Sequence, residues 1–271
     1  LHVRFLEEFI SNCLNIREGE NLLMKKWFYG IILIICLCVG GFCAYQAWQI
    51  YNEDNQVELQ TDKIKKDYVE KKSENGEQIL NPDWDALKAI NPDIVGWIYV
   101  PDCAISYPVV QGTNNSYYLD HTIYKGYNFM GSAFLDCDTN SDFSDDNNII
   151  YGHSVQGGGM FTLLKNFSSK AFFDSHTAFY LLTPDQNYKC NVFCYSKSDN
   201  ESNFYVKDFG EERHDTFDKL KNESLYYNEN VDTDSPMVTL STCDLDYGLH
   251  SNRRLLLSGF LEEYDEKIVV H

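Results

Sequence analysis

The chain has little positive charge. Its 271 residues contain 22 Lys and Arg against 41 Asp and Glu, a formal net charge of −19. Residues 1–50 are balanced, with four basic and four acidic side chains, so the excess lies in residues 51–271. A surface of this sign repels phosphate backbones and anionic lipid headgroups. We therefore expect no nucleic-acid partner.

Long apolar runs are also scarce, and one stands out. Residues 27–44 carry no charge and as a helix would measure about 27 Å, close to the bilayer hydrocarbon thickness of about 30 Å. Lys25 and Lys26 precede the run, and Glu53 and Asp54 follow it. The positive-inside rule then predicts a cytoplasmic N-terminus and an extracellular domain. No small-residue cleavage motif follows, which favours an uncleaved anchor over a signal peptide.

Composition divides the chain into four segments. Met24 with its two following lysines is typical of a signal-anchor start, so we expect residues 1–23 to be a leader foreign to the natural protein. Residues 24–50 are the predicted transmembrane anchor. The highly charged residues 51–80 predict a partly helical extracellular stalk. Residues 81–271 are long enough for one domain with its own core.

The number of cysteines beyond the apolar run is odd. The cysteines there are Cys103, Cys137, Cys190, Cys194 and Cys243. At least one must be free, and Cys190 and Cys194 would lie about 13 Å apart in a strand, too far to form a disulfide. We expect all except Cys243 to be buried, hydrophobe-like side chains.

From Gly96 onward, short apolar runs alternate with turn residues. The predicted strands are residues 96–100, 105–111, 132–135, 148–151, 178–183, 188–196, 236–243 and 254–261. Helices are predicted over residues 84–90, with Asn81 as N-cap and Pro82 at the first position, and over residues 215–225. Many short strands and few helices favour a closed or sandwiched β-domain.

A thiol and a fixed cation meet at the last two predicted strands. Cys243 ends one strand and Arg254 opens the next, so a hairpin-like return can bring the guanidinium beside the sulfur. A nearby cation favours the thiolate, which is the nucleophilic form. A guanidinium can also stabilise negative charge growing on a carbonyl oxygen. Arg253 is the alternative to Arg254, and both could be ordinary surface charges.

His153 is the strongest candidate for proton transfer. It follows the apolar run 149–151, and Gly152 leaves room beside it, so its placement should be rigid. His250 is closer to Cys243 in sequence, but it lies in a polar connection where geometry is poorly held. A purely structural histidine is the remaining interpretation.

A set of motifs lies within residues 91–261: Val95-Gly96-Trp97-Ile98, Tyr107-Pro108-Val109-Val110-Gln111, Asn115-Ser116-Tyr117-Tyr118-Leu119, Gly131-Ser132-Ala133-Phe134-Leu135-Asp136, Tyr151-Gly152-His153, Met160-Phe161, Thr239-Leu240-Ser241-Thr242-Cys243 and the downstream arginine. Motifs of these types in this order resemble the sortases, membrane-anchored cysteine transpeptidases of Gram-positive bacteria. The resemblance covers this range and is strongest to class B. It implies a mainly β fold, a closed eight-stranded sortase-type barrel with N-terminal helices and a helix in the loop before the cysteine strand.

The resemblance also implies roles. Cys243 would be the nucleophile, His153 the acid and base, and Arg254 the oxyanion and substrate holder. The family shows one arginine followed by larger apolar residues and then a small one, and this register favours Arg254 over Arg253. The positions that match the family's peptide groove are Ser241, Tyr151, Asn115 and Tyr205.

The implied reaction is cleavage of a C-terminal sorting signal of the Asn-Pro-x-Thr type after Thr. A thioester would form, and the protein would pass to a cell-wall peptidoglycan amine. The partners would be secreted surface proteins that carry the signal, the peptidoglycan precursor amine and, through the N-terminal helix, the membrane. Two alternatives stay open: a cell-wall cysteine peptidase or hydrolase with water as acceptor, and a non-catalytic surface binding domain.

No cofactor or metal is expected for catalysis. An acidic loop offers a calcium site as the alternative, with carboxylates at Asp136, Asp138, Asp142, Asp145 and Asp146. The loop lacks the regular glycine and terminal glutamate of a calcium-binding loop. The prediction is therefore solvated surface.

Overall fold

The computed structural model describes residues 2–155, 158–248 and 251–270, apart from the side chains of residues 2–25, 50, 53 and 54. Two compact units divide at residue 52. The helices are α1 (His2–Ile64), α2 (Trp84–Ile90), α3 (Lys170–Ser175) and α4 (Arg213–Glu223). Short helical turns cover Lys65–Val69, Tyr117–Leu119, Thr162–Ser168, Asn203–Tyr205, Gly210–Glu212 and Leu245–Tyr247.

The first unit is the N-terminal part of α1. Its segment Lys26–Gln49 is long and apolar enough to cross a bilayer, and its side chains are exposed in this structure. The segment fits a membrane anchor or a signal sequence. Residues 2–23 of the predicted leader also lie in α1, and their side chains fall outside the described part of the chain.

The second unit contains the strands. They are β1 (Glu70–Lys72), β2 (Gln78–Leu80), β3 (Ile94–Val100), β4 (Ile105–Val110), β5 (Ala133–Leu135), β6 (Asn147–Tyr151), β7 (Ala178–Leu182), β8 (Asn187–Asp199), β9 (Tyr226–Tyr227), β10 (Met237–Cys243), β11 (Arg253–Glu263) and β12 (Ile268–Val269). Each strand predicted from Gly96 onward is present, with its ends within three residues of the prediction.

Eight of these strands close into a barrel. The order is β11-β10-β6-β5-β4-β3-β7-β8, and β8 pairs with β11 to complete the circle, while β9 extends β8. The pairs β10–β6 and β4–β5 are parallel, and the others are antiparallel. The closed eight-stranded architecture predicted by the resemblance is confirmed.

Side-chain alternation gives β11 two packed faces. Leu255 and Leu257 enter the main core inside the barrel, whereas Leu256 joins a second cluster on the outside. Helix α4 contributes Phe217 and Leu220 to that outer cluster. The helix predicted before the cysteine strand therefore covers an apolar outer face of the barrel.

Residues 51–80 differ from the predicted stalk. Their buried apolar side chains are Val57, Ile64, Val69 and Leu80, and these join the clusters of the barrel unit. Strands β1, β2 and β12 form a small separate sheet. Strand β1 has the sequence Glu-Lys-Lys, so no apolar alternation could reveal it.

The start of α2 also differs from its prediction. The bounds 84–90 are confirmed, but the N-cap is Asp83, whose carboxylate accepts from the Ala86 amide at 3.1 Å. Asn81 and Pro82 lie outside the helix. An aspartate after a proline serves the first turn as well as an asparagine before it.

Candidate active site

Strand register places the predicted thiol and cation side by side. Cys243 is the last residue of β10, and its direct partner across the antiparallel pair is Arg254 on β11. Opposite residues of such a pair share a face, with Cβ atoms about 4.5–5.5 Å apart. Both side chains are half-buried. The sulfur and the guanidinium thus face the same space.

Arg253 points to the other face because successive strand residues alternate. Its Nη2 donates to the Lys197 carbonyl at 3.0 Å, and its guanidinium lies 5.4 Å from the Tyr247 ring centroid. Arg254 instead donates through Nη1 to the carbonyls of Ser251 (2.9 Å) and Arg253 (3.0 Å). These bonds hold the Arg254 guanidinium at the strand entrance.

Parallel pairing brings His153 to the same end of the barrel. Tyr151 on β6 is the register partner of Ser241, and the Gly152 amide donates to the Ser241 carbonyl at 3.0 Å. The His153 Nε2 lies 2.7 Å from the Leu119 carbonyl oxygen. A carbonyl can only accept, so Nε2 carries the hydrogen and Nδ1 is the ring nitrogen left for proton transfer.

Gly152 has a steric reason. A Cβ at this position would come within 2.6 Å of the Phe161 ring, a distance real Cβ atoms essentially never show. The Phe161 amide in turn donates to the His153 carbonyl at 3.0 Å. Because Gly152 has no side chain, the Phe161 ring can pack against the backbone next to His153.

All seven predicted site residues line one groove of about 490 Å³. They are His153, Cys243, Arg254, Ser241, Tyr151, Asn115 and Tyr205. The groove wall also includes side chains that were not predicted as site residues: Leu119, Phe134, Asp136, Asn200, Thr242 and Lys207.

One wall of the groove is aromatic. The Tyr205 hydroxyl lies 2.8 Å from the Ser241 Oγ, and its ring stacks on Tyr151 with centroids 6.4 Å apart and planes 8° apart. Burial raises the pKa of Tyr205, while the Ser241 hydrogen bond and the Arg254 charge oppose the rise. The phenol is therefore neutral near pH 7 and presents a flat, fixed surface beside Cys243.

At the end of the groove away from Cys243, the Asp136 carboxylate accepts the hydrogen bonds of the surrounding side chains. Asp136 is only 3% exposed, and its Oδ2 accepts from the Asn115 amide and the Tyr151 hydroxyl, each at 3.0 Å. Its Oδ1 accepts from the Lys207 ammonium and the Asp138 amide, also at 3.0 Å. Burial raises the pKa of Asp136, but these hydrogen bonds outweigh it and hold the pKa below its ordinary value. Asp136 is an ionised, fully bonded anchor.

The prediction of solvated surface is therefore wrong for Asp136. Ligand atoms of Asp136, Cys137 and Asp138 lie within 4.8 Å of one another, the spacing a cation would need. The Lys207 ammonium already lies 3.0 Å from Asp136 and 3.1 Å from Asp138. Asp146 is paired with Arg213 at 2.6 Å. The protein's own cations thus compensate the most enclosed charges of this loop.

The remaining cysteines are mostly structural. Cys103, Cys190 and Cys194 are buried and free, whereas Cys137 is half-buried, which differs from its prediction. Burial raises the pKa of Cys103 and of Cys194 to about 12 and that of Cys190 well above the usual range. These thiols are inert near neutrality. The alternative base, His250, lies outside the described residues.

Comparison with known proteins identifies the family. A sortase-domain family model matches residues 98–261. Sortase B of Listeria monocytogenes is 30% identical over 233 residues, 82% of this chain and 93% of that protein. Sortase B of Staphylococcus aureus is 27% identical over 240 residues, 88% of this chain and 98% of that protein.

Solved structures agree. A substrate complex of S. aureus sortase B aligns with a TM-score of 0.67 at 25% identity, covering 79% of this chain and 99% of that one. Sortase B from B. anthracis aligns with a TM-score of 0.65 at 29% identity, covering 80% and 100%. The chain belongs to the sortase family. Within it, the class B relatives make this a sortase B-type cysteine transpeptidase.

Proposed function

We propose that this transpeptidase cleaves a C-terminal sorting signal of the Asn-Pro-x-Thr type after its threonine and transfers the protein to a peptidoglycan amine. The observation that carries the proposal is the direct opposition of Cys243 and Arg254 at the end of a groove that also contains His153. One of the similar structures is a sortase B–substrate complex, which supports a protein substrate bearing a sorting signal.

In the first half-reaction, the Cys243 thiol gives its proton to Nδ1 of His153, and the sulfur attacks the threonine carbonyl carbon. Negative charge grows on the carbonyl oxygen, and the Arg254 guanidinium is the permanent donor beside it. The peptide C–N bond then breaks, and His153 gives a proton to the leaving amine. A thioester between the threonine carbonyl and Cys243 remains.

In the second half-reaction, the acceptor amine attacks the thioester carbonyl and loses its proton to His153. The carbon–sulfur bond breaks and Cys243 leaves as the thiolate, which Arg254 stabilises. Because Nε2 of His153 is held by the Leu119 carbonyl at 2.7 Å, we assign all these proton transfers to Nδ1. The Leu119 contact keeps the ring in one tautomer and one orientation.

We further propose that Lys26–Gln49 anchors the enzyme in the membrane with the catalytic unit outside the cell. The span has the length and composition for a bilayer crossing, and Lys26 lies at its N-terminal end. Glu53 and Asp54 follow on the other side. This charge asymmetry favours a cytoplasmic N-terminus. It also places the active site where cell-wall amines are found.

The test uses the full chain in detergent micelles with fluorogenic Asn-Pro-x-Thr and Leu-Pro-x-Thr peptides, with and without an added amine. The proposal requires cleavage after Thr, an acyl adduct on Cys243 by intact mass, and an amine-dependent transfer product. Cys243→Ala should abolish the adduct, while Cys137→Ala should leave it unchanged. Cleavage to free acid alone in the presence of amine would show that water is the acceptor.

A further inference from the structure

The far end of the groove presents unused hydrogen-bond donors. A lysine ammonium carries three N–H bonds, and Lys207 uses two of them on Asp136 and Asp138. The Asn115 amide group carries two, of which one is bonded to Asp136. Among the described residues, no further acceptor meets either group. One donor on each side chain is therefore available where both line the groove.

The matching acceptors are already occupied. The two carboxylate oxygens of Asp136 accept four hydrogen bonds between them. The Asn115 Oδ1 accepts from the Cys137 amide at 2.8 Å. The Tyr151 hydroxyl hydrogen is donated to Asp136 at 3.0 Å. This end of the groove therefore offers N–H donors to a ligand and calls for an acceptor oxygen.

The position of these donors fits a definite residue of the substrate. Asp136 follows β5, which lies two strands from β10, with β6 between them. Two strand spacings amount to about 10 Å. An extended peptide covers about 3.3 Å per residue, so the residue three places before the acylated threonine lies about 10 Å from it.

We propose that Lys207, positioned by Asp136 and assisted by Asn115, reads a side-chain carbonyl oxygen three residues before the scissile threonine. This specificity rests on the proposed function and extends it to the residue that opens the sorting signal. An asparagine supplies such an oxygen, whereas a leucine leaves a charged donor facing an apolar group. The ammonium is held between two carboxylates that orient it, so its direction is fixed before substrate arrives.

A peptide series on the unmodified full-length enzyme tests which atom is read. Three peptides differ only at the first signal position: asparagine, leucine and the β-methyl ester of aspartate, which keeps the carbonyl oxygen and lacks the amide N–H. We expect the asparagine and ester peptides to react alike, and both about tenfold faster in kcat/KM than the leucine peptide. An ester as poor as leucine would overturn the proposal.

Variants test which residue reads it. Lys207→Met should reduce the ratio of kcat/KM for the asparagine peptide over the leucine peptide about tenfold, mainly by raising the KM of the asparagine peptide, in addition to any loss that the two peptides share. Lys207→Arg should keep most of the preference. Lys219→Met is the matched control, because Lys219 lies at the surface 3.8 Å from Glu212.

Equal losses on both peptides in Lys207→Met would show a structural role only, and thermal unfolding of each variant checks the fold. A wild-type enzyme that acylates on no peptide would contradict the proposed function itself, and the inference would fall with it. A wild-type enzyme that acylates on asparagine and leucine peptides equally contradicts the inference alone.

Discussion

Replacing the two adjacent arginines one at a time tests the strand register that builds the site. Arg254 faces Cys243 across β10 and β11, and two of its five N–H donors are used on the carbonyls of Ser251 and Arg253. Nε and Nη2 remain for the substrate among the described contacts. Removing one preorganised oxyanion donor costs about 10²–10³ in kcat. Arg254→Ala should therefore lose about 3–4 kcal/mol of transition-state stabilisation.

Arg253→Ala is the matched control from the opposite face of the strand. It removes one hydrogen bond to the Lys197 carbonyl and a contact with Tyr247. We expect about 1–2 kcal/mol less stability and a kcat within about threefold of wild type. Single-turnover acylation followed by intact mass, with urea unfolding alongside, separates the two effects. An active Arg254→Ala with an inactive Arg253→Ala would refute the register.

Three further predictions follow from buried contacts. Gly152→Ala should displace the Phe161 ring and cut acylation at least tenfold with a smaller effect on stability, measured by single-turnover kinetics and thermal unfolding. Tyr107→Phe removes a 2.7 Å bond to Glu58 and an acceptor for a buried amide, and should lower the free energy of unfolding by about 1–3 kcal/mol in urea titrations. The Asp136 pKa is depressed in the folded state, so its stabilisation is full above its ordinary value of 3.8 and is lost as pH falls through the lower folded value. Asp136→Asn should flatten that part of the acid-unfolding profile, and an unchanged slope would contradict the assignment.

The pattern of apolar residues along the chain predicted the positions of most barrel strands. The run from Met237 to Cys243 is apolar and β-branched because it is buried along nearly its whole length, so its strand is evident from sequence. Barrel closure is not written in any one strand, because it depends on β8 pairing with β7 on one edge and β11 on the other. The small sheet of β1, β2 and β12 was missed because its strands are short and partly charged.

The site divides in a similar way. Cys243, His153 and Arg254 could be singled out from the sequence because a thiol, an imidazole and a guanidinium each lie at or next to the end of an apolar strand, and the structure places all three in one groove. Asp136 was misjudged because an acidic residue among other acidic residues is usually solvated. Its burial depends on Lys207, which is 71 residues away in sequence and enters from a different loop. No local pattern could reveal that pairing.

The misjudged residue explains why the groove can be both acidic in sequence and receptive to a peptide. A bare carboxylate at its far end would repel backbone carbonyl oxygens. The Asp136 carboxylate accepts four hydrogen bonds, from Asn115, Tyr151, Lys207 and a backbone amide. This end of the groove therefore presents the remaining N–H donors of Lys207 and Asn115 to the substrate. The same carboxylate fixes the Tyr151 ring, which stacks on the Tyr205 ring. The Tyr205 hydroxyl in turn contacts Ser241, which lies on the strand that ends at Cys243. Loss of the Asp136 charge should therefore weaken substrate binding near Lys207 and loosen the aromatic wall near Cys243. We expect KM to rise by a larger factor than kcat falls.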